Sequence, residues 1–140
     1  MASDLDRVLA EARAKLARLE PREAWDAAQR GATLVDTRPE FQRRADGEIP
    51  GAIVVERVHL EWRLDPESDG RIPEARDADI RWIVICDEGY SSSFAAASLQ
   101  TIGLRHATDV IGGFRAWKAA NLPIVFPDVP TPPRLMSRPG

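Results

Sequence analysis

Apolar positions along the chain alternate between two periodicities, one helical and one extended. Leu5, Val8, Leu9, Ala12, Leu16 and Leu19 recur at helical spacing with charged residues between them. This predicts an amphipathic helix over residues 1–20, capped by Ser3 or Asp4 and packed within the monomer in preference to a dimer contact. Pro21, suited to a first helical turn, opens a second short helix that runs to Arg30 and stops at Gly31. Ala32–Arg38 is a short strand, a helical turn starts at Pro39, and Ile53–Val55 is a second strand entered through Pro50-Gly51. A loop with one short helix follows up to Pro66, and the connection after it is rich in turn residues. The strongest apolar run, Ile80–Ile85, stops at Cys86, and a helix is predicted from about Ser92 to Ile102, stopped by Gly103. Ala107–Ile111 reads as a strand, Gly112-Gly113 as a turn, Phe114–Ala120 as a closing helix, and Ile124–Phe126 as a last extended piece.

Short strands alternating with helices predict an α/β fold, a parallel β-sheet flanked by helices on both faces. The organisation expected is an N-terminal amphipathic helix over 1–20, a domain over 21–126 and a proline-rich flexible tail over 127–140. Ligand sites in such sheets lie at the C-terminal ends of strands, and Cys86 falls at one.

Composition narrows the function classes. The net charge is −3, so no basic surplus points to nucleic acid, and no apolar run is long enough to span a bilayer. With a polar N-terminus and no apolar core behind it, a secretory leader is not expected, and a single cysteine rules out an internal disulfide. Together these lead to the expectation of a cytoplasmic protein. Cys86, His59 and His106 lack metal-ligand spacing, so neither a metal nor another cofactor is expected.

The candidate chemistry centres on Cys86 and the loop Asp87, Glu88, Gly89, Tyr90, Ser91 and Ser92. A strand, a short polar loop and a helix N-terminus make an anion cradle, in which backbone amides converge and the helix dipole adds partial positive charge. A thiol at its lip is drawn toward the nucleophilic thiolate form. Asp36 and Arg38, two apart at the end of another strand, read first as an ion pair supporting the next loop. Arg57, His59 and Arg63 read as solvated or core-edge residues, and Trp25, Trp62, Trp82 and Trp117 as core aromatics.

Leu34-Val35-Asp36-Thr37-Arg38, followed by Gly47-Glu48-Ile49-Pro50-Gly51-Ala52, resembles the paired entry motifs of rhodanese-like domains. The strand ending in Cys86, the loop with Gly89 and the Ser-Phe-Ala-Ala-Ala-Ser-Leu helix resemble that family's active-site loop. Asp109–Trp117 resembles its closing glycine-glycine and tryptophan motif. The matches come in the family's order and extend from about Pro21 to Phe126.

The resemblance implies a single rhodanese-like domain in which Cys86 accepts sulfane sulfur, becomes a persulfide and passes the sulfur to a thiophilic acceptor. The implied partners are a small sulfane-sulfur donor or a protein persulfide donor, and a thiol acceptor. No nucleic acid or membrane partner is expected, and the oligomeric state is left open.

One departure stands out. Active members commonly carry an arginine where Ser91 stands, whereas this loop carries Asp87 and Glu88. A like charge about 8 Å from a thiolate costs roughly 2 kcal/mol at an effective dielectric of about 20, comparable to the most a helix N-terminus supplies, about 2 kcal/mol. The alternative reading is therefore a non-catalytic rhodanese-like interaction or regulatory module. Phosphatase or arsenate-reductase chemistry ranks lower, because positions 91 and 92 are both serine where a phosphate-binding loop wants an arginine.

Overall fold

The computed structural model describes residues 2–126, and the proline-rich tail expected over 127–140 lies outside the described residues. The hydrophobic alternation of one strand explains the layering. In β3 (Trp82–Ile85), Trp82 and Val84 face one apolar cluster, while Ile83 and Ile85 face the other. Both faces are therefore buried, as a parallel sheet requires. β1 (Thr33–Asp36), β2 (Ile53–Val54), β3 and β4 (Thr108–Asp109) form a four-stranded parallel sheet in the order β2-β1-β3-β4. Register pairs Val35 with Val84 and Asp36 with Ile85, which brings the ends of β1 and β3 level.

One face is covered by α4 (Leu60–Leu64) and α5 (Ser91–Thr101), through Leu60, Leu64, Ala95, Ala96 and Leu99. The other carries α2 (Pro21–Gln29) and α6 (Gly113–Ala119), through Ala24, Phe114 and Trp117. α3 (Glu40–Asp46) is short and buries none of its residues. Trp25 packs edge-on against Trp117 at 5.8 Å between centroids.

Three expectations need correction. The opening helix α1 spans Asp4–Ala14, with Ser3 closing a capping box, and stops short of Leu16 and Leu19. Leu19 is instead extended, bridging to Val110 and exchanging hydrogen bonds with Asp109 O and Ile111 N, so the segment after α1 satisfies the sheet edge beside β4. Only Ala12 of α1 is buried, and Leu5 and Val8 face solvent. Trp62 is not a core aromatic. It is 47% exposed, its ring lies flat enough on Gly70 that a Cβ there would overlap it, and its Nε1 donates to Asp69.

Candidate active site

β3 delivers Cys86 to the top of the sheet, and the chain turns into α5 through Asp87, Glu88, Gly89 and Tyr90. Cys86 is 6% exposed, and its Sγ accepts hydrogen bonds from the amides of Gly89 (3.2 Å) and Ser92 (3.3 Å). The loop therefore wraps its N–H groups around the sulfur. Gly89 takes φ +81°, and a Cβ there would lie 2.6 Å from the Gly112 amide nitrogen, so only glycine fits.

The inward turn of the amides follows from where the carbonyls are held. Cys86 O accepts from the Phe114 amide (2.8 Å) and Asp87 O from the Arg115 amide (3.0 Å), both at the start of α6. Tyr90 O accepts from Ser93 N. The Gly89 carbonyl accepts from two guanidinium groups, Arg13 (2.7 Å) and Arg18 (3.1 Å). With its carbonyls fastened on the outside, the loop presents amide hydrogens to the sulfur, the arrangement that favours an anion there.

Beneath the loop lies Asp109, fully buried at the end of β4. Its carboxylate takes bidentate bonds from Arg18 and one from each hydroxyl of Ser92 and Ser93 at 2.8 Å. A buried carboxylate is stable only when charged and polar donors satisfy it in this way. Arg13 adds a bond from Nε to Ser93 Oγ.

The acidic residues of the loop also have a partner. Arg115 Nε lies 2.9 Å from Asp87 and 3.5 Å from Glu88. Hydrogen bonding and charge from Asp87, with a smaller contribution from Glu88, hold the Arg115 guanidinium pKa above its ordinary value. Beside this pair, a cavity of about 340 Å³ is lined by Asp46, Asp87, Phe114, Arg115, Lys118 and Ala119. Ser91 is exposed at the first position of α5. Tyr90 stands exposed at the loop crest, its ring edge-on to Phe94.

Asp36 and Arg38 form a buried ion pair at 2.8 Å below the loop that follows β1. Arg38 also donates to Gly47 O and places its guanidinium 3.7 Å from the centre of the Phe114 ring, at the start of α6. The pair thus ties β1 to the element whose amides hold the cysteine loop. Arg57 and Arg63 stay at the periphery, the first paired with Glu61 and the second bonded to Gly70 O and lying over Trp62. His59 is exposed there. Among the described residues no cluster has the makings of a metal site, and no helix is long and apolar enough to cross a membrane.

Sequence reasoning missed Arg13, Arg18, Asp109 and Arg115. A signal for the first existed. Arg13 shares the helix face of Leu9, Ala12 and Leu16, so a cation stood on the inward side of the amphipathic pattern.

A cysteine in an amide-lined loop between a central parallel strand and a helix defines an α/β protein whose loop is built to hold an anion at that sulfur. The model of the rhodanese-like domain matches residues 20–120, and the chain belongs to that family. It is 36% identical over 104 residues to the thiosulfate sulfurtransferase GlpE of Haemophilus influenzae, covering 74% of this chain and 90% of the relative. A GlpE from Actinobacillus succinogenes is 34% identical, covering 74% and 86%. Among solved structures, a Rhodopseudomonas palustris protein described as a possible tyrosine phosphatase superposes with TM-score 0.79 at 29% identity, covering 89% of this chain and 96% of that one. A rhodanese-related protein from Thermoplasma volcanium shares the fold, with TM-score 0.64 at 23% identity, covering 79% and 98%. The family and these relatives make this a rhodanese-like protein.

Proposed function

We propose that Cys86 is the sulfur-carrying nucleophile. The observation that carries this reading is the pair of amides, Gly89 and Ser92, directed at its Sγ from a loop whose carbonyls are held outward. In the first half-reaction the Cys86 thiolate attacks the outer sulfur of a donor such as thiosulfate. The Sγ–S bond forms, the donor's S–S bond breaks, and its electron pair leaves on sulfite. In the second, a thiol or cyanide acceptor attacks the outer sulfur and the Sγ–S electron pair returns to Cys86. The amides stabilise the thiolate and the persulfide anion alike, as an oxyanion hole stabilises developing charge.

Asp87, Glu88, Tyr90 and Ser91 form the rim that a donor meets, and Arg115 offsets the two carboxylates there. Asp36 and Arg38 act as support. Position 92 supplies a serine amide to the sulfur, and the arginines brought in by α1 and the segment after it are spent on the back of the loop. The cradle therefore lacks the guanidinium that binds a phosphate dianion from within, which favours sulfur transfer over phosphate ester hydrolysis. The proposed setting is cytoplasmic, with a small or protein-borne sulfane donor and a thiol acceptor.

The test is turnover of thiosulfate with cyanide, followed as thiocyanate. Wild type is expected to turn over and Cys86→Ser to be silent. An intact Cys86→Ser that matches wild type would overturn the assignment. Failure of the wild type to turn over or to take up sulfur from any donor, protein persulfides included, would return the chain to the interaction-module reading.

A further inference from the structure

We propose that Arg13 and Arg18 are positioning residues for Cys86, a guanidinium clamp that holds the loop in its sulfur-binding form through the Gly89 carbonyl. The inference deepens the sulfur-carrier reading and rests on it for its consequence in turnover. Both arginines precede residue 20, where the family-matched region begins. The clamp is thus supplied from outside that region by α1 and the segment after it.

Several observations converge on Gly89. Its amide is one of the two that reach the sulfur, and its carbonyl is the one that both guanidiniums seize. A planar trans peptide points its N–H opposite its C=O, so drawing the Gly89 carbonyl outward turns the Tyr90 N–H the other way, toward the inside of the loop. The second sulfur donor is tied to the same clamp. Arg13 bonds Ser93 Oγ, and Arg18 bonds the Asp109 carboxylate, which accepts the hydroxyls of Ser92 and Ser93. The two residues that supply the sulfur-facing amides, Gly89 and Ser92, are therefore both joined to one network whose cations come from sequence positions more than seventy residues from Gly89.

Within α1 only Ala12 is buried and Leu5 and Val8 are exposed, while Leu16 and Leu19 after it pack against the two core clusters; the contact that reaches the loop itself is polar and runs through Arg13. The chemistry also demands guanidinium. Arg18 spans both Asp109 oxygens and Gly89 O with its Nε and one terminal nitrogen, a fork that an ammonium group cannot reproduce. The loop carries two carboxylates and no cation, and the clamp places two positive groups against its back.

Arg13→Gln is the cleanest probe, because Arg13 contacts a hydroxyl and a carbonyl and its loss strands no buried charge. Arg18→Gln is paired with Asp109→Asn so that no carboxylate is left unpartnered. The full chain is used throughout. Hydrogen exchange of the Gly89–Ser92 amides, and kcat and KM for thiosulfate, are measured beside the thermal midpoint. The expected result is faster exchange confined to the loop and a kcat lower by about tenfold, the loss expected for a hydrogen bond from a charged donor. Exchange in β3 should be unchanged. Arg13→Lys should recover only part of the loss.

Loop exchange and kcat equal to wild type in both Gln variants would overturn the proposal. So would a loss fully restored by lysine, which would show that charge alone suffices. If the wild type takes up no sulfur from thiosulfate or a protein persulfide, the sulfur-carrier reading fails by itself, and loop exchange still decides the clamp.

Discussion

Gly113→Ala tests how tightly the closing turn is locked against the cysteine loop. Gly113 has φ +62°, and an added Cβ would lie 2.5 Å from the Gly89 amide nitrogen, 2.6 Å from Cys86 O and 2.8 Å from the Asp87 carbonyl carbon. All three are backbone atoms, so no side chain can swing aside. The left-handed backbone costs an alanine roughly 1–2 kcal/mol, and forcing atoms into a packed site costs about 1–3 kcal/mol more. The total of about 2–5 kcal/mol corresponds to a fall in Tm of about 8–20 °C at roughly 4 °C per kcal/mol. Gly103→Ala is the matched control. Its φ is +95° and nothing lies within 4 Å of its added Cβ, so it carries the backbone cost alone. Scanning calorimetry of the two variants isolates the overlap, and thiosulfate turnover should fall in Gly113→Ala only, because the displaced atoms include the amide bonded to Cys86 Sγ. Equal Tm values with equal turnover in the two variants would show that the turn is not locked against the cysteine loop.

Other predictions follow from the same contacts. Arg38→Ala strands the Asp36 carboxylate in the interior and should lower stability by about 3–5 kcal/mol, read as a shift in the urea midpoint. Arg115→Ala leaves Asp87 and Glu88 without their cation, so KM for the thiosulfate dianion should rise several-fold at low salt and converge on wild type as salt screens the rim, with Tm nearly unchanged. Glu61 gives a pH signature. Burial raises its pKa, but the Ser98 hydroxyl and Arg57 outweigh this and hold it below the usual 4.5. A depressed folded pKa adds stability above the unfolded value and loses it as pH falls through the folded one. Ser98→Ala should therefore narrow the difference in Tm between pH 6 and strongly acidic buffer. A difference equal to wild type would contradict the assignment.

How far the sequence reveals this molecule depends on the range of each interaction. Strands and helices were readable because their signals are local. The apolar run before Cys86, Pro21 at a helix start, and Gly31 and Gly103 at helix ends each act within a few residues. The candidate loop was readable for the same reason, since strand, loop and helix follow one another directly. What encloses that loop was not. Asp109, Arg13, Arg18 and Arg115 reach it across long stretches of chain, and no periodicity marks which distant charge will meet which carbonyl. The loop consequently read as acidic and without arginine, whereas three guanidiniums contact its backbone or side chains. The spacing of Leu19 fits the helical stripe. The open edge of β4 claims it as an extended residue, a competition that only tertiary structure resolves.

Everything proposed for the loop turns on Cys86 carrying transferable sulfur. Intact-protein mass spectrometry after incubation with thiosulfate and with a protein persulfide donor tests it most directly. One added sulfur is expected on wild type, removed by cyanide and absent from a folded Cys86→Ser variant. A wild-type mass unchanged by either donor, or the same adduct on Cys86→Ser, would contradict it.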